Sequence, residues 1–179
     1  MVLNDNIHFH TFSYHAVPYG LQNSSAKLKN FCFIFIHILF HLFYMKILIL
    51  NGPNLNLLGT REPEIYGHES MESCHAKLKN QFPEHEIEVF QSNYEGGIID
   101  RIQQNDFDAL IINSGAFTHY SYAIADCLKN VSKPKIEVHI SNIYKREEFR
   151  QKSVTATYTD ALISGFGLKG YELAVQSLS

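Results

Sequence analysis

From Met45 onward, short apolar runs alternate with amphipathic segments along the chain. The apolar runs are about five residues long, which is typical of buried strands. Because a helix-length segment joins each pair of runs, we expect a parallel sheet with helices on both faces. The pattern predicts strands at 46–50, 86–91, 109–113, 135–139 and 161–164, and helices at 70–81, 96–105, 120–130, 147–153 and 171–177.

Composition and charge narrow the class of protein. The chain has 179 residues, of which 45% are hydrophobic and 18% are charged, so it is long enough for one compact α/β domain. A net charge of −3 gives no basic surface for nucleic acid or for an anionic membrane, and we expect neither partner. The cysteines lie far apart, at Cys32, Cys74 and Cys127, which argues against a disulfide framework or a structural zinc site and favours the reducing cytoplasm.

Residues 1–44 differ in composition from the rest of the chain. They contain half of the ten histidines and end in an apolar run at 31–44. That run has about 14 residues, fewer than the roughly 20 that a membrane-spanning helix needs. We expect Met45 to be the native start and residues 1–44 to be upstream sequence or an unstructured extension. A signal peptide and an interfacial membrane anchor are the alternatives.

The segment NGPNLNLLGTREPEIYG at 51–67, directly after the first strand, is the most informative part of the sequence. It places Asn51, Asn54, Arg61 and Tyr66 among three glycines and two prolines. A connection of about 17 residues is uncommon between packed elements unless it is a binding loop or a lid. We therefore interpret this segment as an active-site loop.

Polar side chains also follow the third and fourth predicted strands. The third strand leads into NSGAFTH at 113–119, and the fourth ends in VHIS at 138–141. Ligands bind beyond the carboxyl ends of the strands in an open parallel sheet, so we expect these residues and the loop to form one site. Arg146 and Arg150 add positive charge, and they share a helix face if the segment at 147–153 is helical.

A tyrosine beside an arginine suits proton abstraction next to a carbonyl group. A phenol has a pKa of about 10, and a neighbouring cation lowers it toward the range in which a phenolate acts as a base. Arg61 lies five residues before Tyr66 and is the candidate for that cation. We therefore expect Tyr66 to be the catalytic base.

A histidine can then protonate a departing hydroxyl group, since an imidazole has a pKa of about 6.5. His139 is the candidate acid, and Glu137, two residues earlier, is its candidate orienting partner. Asn54, or a water held by Asn113, is the candidate group that stabilises an enolate oxygen. Together these groups suit the elimination of water next to a carbonyl.

Five segments, in order along the chain, resemble the motifs of type II 3-dehydroquinate dehydratase. The resemblance runs from about Met45 to the C-terminus, and five ordered motifs are specific where any one alone is weak. The segments are NGPNLNLLGTREPEIYG at 51–67, SNYEGGIID at 92–100, NSGAFTH at 113–119, EVHISNIYKREEFR at 137–150 and SGFGLKGYELA at 164–174.

The resemblance implies a fold and an activity. The fold is a flavodoxin-like, doubly wound, five-stranded parallel sheet in a single dehydroquinase domain at 45–179. The activity is dehydration of 3-dehydroquinate to 3-dehydroshikimate by anti elimination through an enolate, in the shikimate pathway to aromatic amino acids or in quinate breakdown. The family implies no metal, no Schiff base and no other cofactor. It also implies a homo-oligomer, a dodecamer built from trimers.

The resemblance also implies roles for individual residues. Tyr66 matches the base that takes a proton from C2, Arg61 matches the loop arginine that supports it, and His139 matches the acid that protonates the C1 hydroxyl. Asn54 is similar to a residue near the enolate, and Asp126 resembles an acid that reaches the site of a neighbouring subunit. Substrate-binding positions are matched by Asn113, His119, Ile140, Ser141 and Arg150.

Three residues depart from the family pattern. Tyr94 stands in place of a histidine, Ser114 in place of a proline, and Phe117 in place of a common tyrosine. Ser114 loosens a turn that proline would stiffen by fixing φ. None of the three removes a proposed catalytic group, so we expect activity to be retained.

Taken one at a time, the same residues also suit purely structural roles. Tyr66 suits packing, His139 suits a hydrogen-bonded buried histidine, and Thr118 suits the N-cap of the helix that follows it. The rival function is a non-enzymatic, flavodoxin-like ligand-binding or signalling module. A phosphoacceptor of that kind needs aspartates where Asn51 and Asn113 stand, and a nucleotide module needs a phosphate-binding turn that opens the first helix.

Overall fold

The computed structural model describes Phe31, residues 44–59 and residues 69–178. The chain divides into two units, 1–37 and 38–179, and every described residue except Phe31 belongs to the second unit. The expectations for residues 1–44 therefore fall almost entirely outside the described residues and stay predictions. No helix within the described ranges is long and apolar enough to cross a membrane.

The described part of the second unit contains five strands and four α-helices, and the strands confirm the predicted α/β class. The strands are β1 (Lys46–Asn51), β2 (Glu86–Gln91), β3 (Ala109–Asn113), β4 (Lys135–His139) and β5 (Ala161–Ser164). The helices are α1 (Met71–Gln81), α2 (Glu95–Gln103), α3 (Tyr122–Lys129) and α4 (Lys169–Gln176). Short 3₁₀ helices lie at Leu55–Leu57, Gly115–His119, Ile143–Lys145, Glu148–Arg150 and Ala156–Tyr158.

The five strands form one parallel sheet in the order β2-β1-β3-β4-β5. Asn51, at the carboxyl end of β1, pairs with Gln91 of β2 on one side and with Asn113 of β3 on the other. The winding of the chain reverses between β1 and β3, which is where ligands bind in doubly wound sheets. The strand order confirms the predicted flavodoxin-like fold and brings the ends of β1, β3 and β4 to one edge.

Alternate residues of the central strands pack into two hydrophobic layers, one on each face of the sheet. Ile47 and Ile49 lie in the layer covered by α1 and α4, whereas Leu48 and Leu50 lie in the layer covered by α2 and α3. Burial on both faces explains why the strands are continuous apolar runs in the sequence. Each such side chain contributes about 1.5–3 kcal/mol on burial, so the sheet is a stable support for the loops at its carboxyl edge.

The predicted helix at 147–153 is wrong. The segment contains only a single short 3₁₀ turn, and Arg146 before it has an extended backbone, so Arg146 and Arg150 do not share a helix face. Beyond the turn, the N–H of Val154 donates to the carbonyl of Thr118 over 2.8 Å. A contact with a distant part of the chain therefore overrides the local helical pattern.

The predicted helix at 120–130 begins later than expected, as α3. Ser121 is its N-cap, and the Ser121 hydroxyl accepts a hydrogen bond from the N–H of Ile124 over 2.9 Å. Thr118, the N-cap suggested by the sequence, lies instead in the 3₁₀ helix before α3, with its side chain fully buried. The hydroxyl of Thr118 is therefore available for contacts inside the protein.

The loops after β1 and β3 touch through their backbones at Gly52. The N–H of Gly52 donates to the carbonyl of Asn113 over 2.7 Å. A Cβ atom on Gly52 would collide with the carbonyl of Ser114, so this position accepts no side chain without a shift of backbone. The contact fixes the two loops relative to each other at the carboxyl edge.

We expect Gly52→Ala to lower the free energy of unfolding by about 1–3 kcal/mol, which is the usual cost of overpacking a filled site. The matched control is Gly96→Ala in the first turn of α2, where an added Cβ meets nothing within 4 Å. Alanine favours a helix over glycine by about 0.5–1 kcal/mol, so the control gains stability. Urea unfolding followed by circular dichroism measures both variants, and equal stability of the two would contradict the close contact.

Candidate active site

A pocket of about 400 Å³ opens at the carboxyl edge of the sheet, beside the ends of β1, β3 and β4. Its volume suits a small ligand. Within the described residues, no group of three or more histidine, cysteine or acidic side chains is arranged to hold a metal ion. Most of the residues expected in the site line this pocket, namely Asn54, Asn113, His119, His139, Ile140, Ser141 and Arg150, together with Arg146.

Arg61 and Tyr66, the two predicted catalytic residues of the loop, lie outside the described residues, in the stretch 60–68. Leu58, just before that stretch, is buried and lines the pocket. The last described residues before that stretch therefore lie at the pocket. The roles of Arg61 and Tyr66 stay predictions.

His139 is the last residue of β4, and the carboxylate of Glu137 lies beside its ring. The Nε2 atom of His139 lies 2.6 Å from Oε1 of Glu137. Residues two apart on a strand point to the same face, which is why the sequence places these side chains together. Because the carboxylate accepts the proton of Nε2, the other ring nitrogen, Nδ1, is left for a ligand in the pocket.

Glu137 is fully buried, yet its surroundings favour the charged form. The hydroxyls of Thr118, Ser153 and Thr155 donate to its carboxylate over 2.8, 2.7 and 2.6 Å. Burial raises the pKa of Glu137, but the hydrogen bond and charge of His139 and the Thr155 and Ser153 hydroxyls outweigh it. The pKa therefore lies below the ordinary value of a glutamate. Glu137 is ionised at neutral pH.

Asn113 ends β3 and takes part in a chain of side-chain hydrogen bonds behind the pocket. Its Nδ2 donates to the hydroxyl of Tyr171 over 2.9 Å, and that hydroxyl donates to Oδ1 of Asn51 over 2.7 Å. Nδ2 of Asn51 lies 3.3 Å from Nε2 of His75. The N–H of Gly115 donates to Oδ1 of Asn113 over 3.2 Å. With both amide atoms engaged, the side chain of Asn113 has one orientation.

Burial determines the protonation states of the tyrosine and the histidine in this series of hydrogen bonds. It raises the pKa of Tyr171 far above the ordinary value of a phenol, so the hydroxyl stays a donor to Asn51. Burial also lowers the pKa of His75 to about 4, so the imidazole is neutral at pH 7 and accepts the hydrogen bond from Asn51. The donors therefore point in one direction, from Asn113 toward His75.

Asn54 lines the pocket from the loop after β1. Its backbone has a φ of 67°, a left-handed conformation that asparagine tolerates better than most residues. The N–H of Asn54 donates to Oδ1 of Asn93 over 3.0 Å, and Gln91 donates to the same oxygen over 3.0 Å. The loops after β1 and β2 are thereby tied together, which fixes the position of Asn54.

Two arginines give one side of the pocket a positive charge. Nη1 of Arg146 donates to the hydroxyl of Ser141 over 3.2 Å. Arg146 and Arg150 both approach Glu147, at 3.5 and 3.7 Å from its Oε2 atom. The side chain of Arg150 is 41% exposed, so its pairing with Glu147 is weak and its guanidinium stays accessible to a ligand.

His119 and Asp126 occupy different surfaces. His119 lines the pocket, and its Nδ1 donates to the carbonyl of Lys152 over 2.8 Å, which fixes the ring. Asp126 is exposed on α3 and is not among the pocket residues. Its expected contribution to a neighbouring subunit's site stays a prediction.

The pocket also has an apolar wall that the sequence pattern did not indicate. Apolar residues in loops are common on protein surfaces, so their positions gave no distinct signal. Tyr120 and Phe149 are largely exposed, which leaves this wall open at its outer side. The wall consists of Leu55, Leu58, Tyr120, Ile143 and Phe149.

Comparison with known families and curated proteins gives one consistent result. The model of the family "Dehydroquinase class II" matches residues 45–179. The 3-dehydroquinate dehydratase of Thermotoga petrophila is 56% identical over 134 residues, which are 74% of this chain and 93% of the relative. That of Clostridium botulinum (strain Loch Maree) is 51% identical over 135 residues, or 73% of this chain and 92% of the relative.

Solved structures agree with the relatives. The type II dehydroquinase from Butyrivibrio crossotus DSM 2876 superposes with a TM-score of 0.73 at 52% identity, and covers 75% of this chain and 97% of its own. The type II dehydroquinase from Propionibacterium acnes superposes with a TM-score of 0.72 at 45% identity, and covers 74% and 94%. These comparisons give no support to the alternative of a non-enzymatic module.

We expect Tyr171→Phe to lower the free energy of unfolding by about 1–3 kcal/mol. The variant keeps the ring but leaves Nδ2 of Asn113 and Oδ1 of Asn51 buried without their partner, and a buried polar group without a partner costs about that much. Tyr144→Phe is the control, because that side chain is 62% exposed. Calorimetric melting measures both variants; equal melting temperatures would show that the buried hydroxyl contributes nothing.

We expect Ser114→Ala to raise the free energy of unfolding by about 1 kcal/mol. Ser114 is fully buried, and its hydroxyl has no hydrogen-bond partner in the described part of the chain. A buried hydroxyl without a partner is costly, whereas a methyl group is not. The matched control is Ser121→Ala, which removes the cap of α3 and should cost about 1 kcal/mol. Denaturant titration compares the two, and a loss of stability in Ser114→Ala contradicts the expectation.

Proposed function

The chain belongs to the type II dehydroquinase family, and we propose that it converts 3-dehydroquinate into 3-dehydroshikimate and water, a step that the shikimate pathway and quinate breakdown share. The observation that carries the proposal is the pair of His139 and the buried, ionised Glu137 in the pocket. Once protonated at Nδ1, a histidine held in this way donates a proton to a small ligand in the pocket. The same pocket supplies amide, hydroxyl and guanidinium groups for a polar substrate.

The proposed base is Tyr66. It takes a proton from C2 of the substrate, next to the carbonyl carbon, and the electron pair moves into the carbonyl to form an enolate. The guanidinium of Arg61 favours the phenolate that this step needs. The support for both residues is their match to the family motif in the loop at 51–67.

The proposed acid is His139. Its imidazolium donates a proton to the hydroxyl on C1, the C1–O bond breaks, and water leaves as the enolate becomes a conjugated enone. Glu137 accepts the hydrogen bond from Nε2 and so fixes the orientation of the ring for this step. The base and the acid act on opposite faces of the substrate ring, which corresponds to anti elimination.

The remaining pocket residues are proposed to bind the substrate. Asn54, or a water held by Asn113, donates a hydrogen bond to the enolate oxygen, where negative charge develops. The single orientation of the Asn113 amide supports this role, because a donor that is already oriented needs no rearrangement during the reaction. The other proposed binding residues are His119, Ile140, Ser141 and Arg150.

We further infer that the chain acts in the cytoplasm, without a cofactor, as a dodecamer built from trimers. Within the trimer, Asp126 reaches the site of a neighbouring subunit. Its exposed position on α3, close to the exposed Tyr122, supports a contact between subunits at this helix. The molar mass from light scattering tests the assembly.

The activity is tested by incubating the full chain with 3-dehydroquinate and following the ultraviolet absorbance of the enone product. A steady increase is the expected result, and no turnover by folded protein rejects the function. The same reaction with borohydride tests the mechanism. Activity should persist because no Schiff base forms, and a trapped lysine adduct rejects the proposed route.

Tyr66→Phe and His139→Ala are each expected to lower kcat by about 10²- to 10⁴-fold, because each removes a proton-transfer group. Tyr94→Phe is the control for the loss of a phenol hydroxyl, since that side chain is 79% exposed. Steady-state kinetics of the three variants measures the effect. An undiminished kcat in Tyr66→Phe would remove that residue from the role of base, and a comparable loss in the control would show that the effect is not specific.

A further inference from the structure

Two segments remote in sequence bring three hydroxyl groups onto the carboxylate of Glu137. Thr118, in the 3₁₀ helix after β3, and Ser153 both donate to Oε1, over 2.8 and 2.7 Å. Thr155 donates to Oε2 over 2.6 Å. Thr118 and Thr155 have no exposed surface. We call these three residues the hydroxyl clamp.

The donors are unevenly divided between the two oxygens of the carboxylate: three approach Oε1, from Thr118, Ser153 and His139, and one approaches Oε2, from Thr155. An ionised carboxylate offers about four lone-pair sites. Glu137 is reached by the three hydroxyls of the clamp and by Nε2 of His139. A buried charge is stable only when it is paired and hydrogen-bonded, so removal of the Thr155 hydroxyl leaves Oε2 without its donor away from water. The three hydroxyls also lie 2.6 to 3.2 Å from one another, so they form one hydrogen-bonded network around the carboxylate.

The segment that supplies two of the hydroxyls also supports the second histidine of the pocket. The carbonyl of Lys152 accepts a hydrogen bond from Nδ1 of His119 over 2.8 Å. The N–H of Val154 donates to the carbonyl of Thr118 over 2.8 Å, which holds the two segments together. Residues 152–155 thus contact the groups behind both pocket histidines.

We propose that Thr118, Ser153 and Thr155 are positioning residues that keep Glu137 charged and directed at His139. This inference rests on the proposed function, because it assigns the clamp to the proton donor of that reaction. The clamp contacts Glu137, Glu137 contacts His139, and His139 is the residue that meets the substrate. A clamp that only filled space would affect stability but not the pH dependence of the reaction.

The surroundings of Glu137 make a pH experiment straightforward to interpret. In the described part of the chain, the titratable side chain that touches it is His139, on its own strand. The groups that reach it from the 3₁₀ helix at Gly115–His119 and from 153–155 are neutral hydroxyls. Hydrogen bonds to the carboxylate favour its ionised form, so loss of a hydroxyl should raise the pKa of Glu137. Because the proposed mechanism also needs the Tyr66 phenolate, the acidic side of the activity profile reports both groups, and the part that Glu137 contributes should move to a higher pH.

The test compares Thr155→Val with Thr155→Ser in the full chain. Valine keeps the shape without the hydroxyl, and we expect the Glu137 contribution to the acidic limb of the kcat/KM profile to move up by about one pH unit. Serine keeps the hydroxyl and should restore the wild-type limb. Thr159→Val is the matched control, because its hydroxyl donates to the carbonyls of Ala156 and Ala161, at 3.2 and 3.3 Å. Its profile should equal that of the wild type.

A ¹³C titration of the Glu137 carboxyl carbon gives a second readout that needs no turnover. The expected result is a Glu137 pKa about one unit higher in Thr155→Val and in Ser153→Ala than in the wild type. If the full chain does not dehydrate 3-dehydroquinate, the proposed function fails while the titration still tests the clamp. Unchanged titration of Glu137 in both variants overturns the inference, and circular dichroism verifies that the variants are folded.

Discussion

One buried negative charge is the constraint that organises the pocket. Glu137 lies on β4, an interior strand of the sheet, and its side chain has no exposed surface. An unpaired carboxylate in that position would cost several kcal/mol. His139 and the three hydroxyls of the clamp compensate that cost. Because the hydroxyls come from two distant segments, the chain after β3 and the chain before β5 must meet at this point. The pocket residues on those segments take their positions from that meeting.

The strands and their order follow from features that a sequence displays directly. Residues such as Ile47 and Leu48 are buried on opposite faces of the sheet, so the strands are uninterrupted apolar runs. Crossovers of helix length make the sheet parallel, and a parallel sheet gathers the residues after its strands at one edge. That rule alone predicts that Asn113 and His139 lie near each other. The residue types suggested their roles as proton donor and enolate-stabilising group, and the resemblance to a family supplied the substrate and the reaction.

What the sequence does not display is a hydrogen bond between residues far apart in the chain. Thr118 before a helix looks the same whether its hydroxyl caps that helix or binds a buried carboxylate. Tyr171 looks like an ordinary core aromatic, since its amide partners lie 58 and 120 residues away. The helix expected at 147–153 failed for a related reason, because the Val154 N–H contacts the carbonyl of Thr118. Each of these interactions depends on the fold being formed first.

The chain of hydrogen bonds from Asn113 through Tyr171 and Asn51 ends at His75, on α1. α1 is also the first helix after the stretch 60–68. The helix is thus joined to the loop by covalent bonds and to the floor of the pocket by hydrogen bonds. A shift of α1 along its axis, even one caused by a change on its outer surface, would strain the hydrogen bonds that orient the amide of Asn113. The position of α1 and the orientation of the Asn113 amide are therefore linked, although α1 itself lies outside the lining of the pocket.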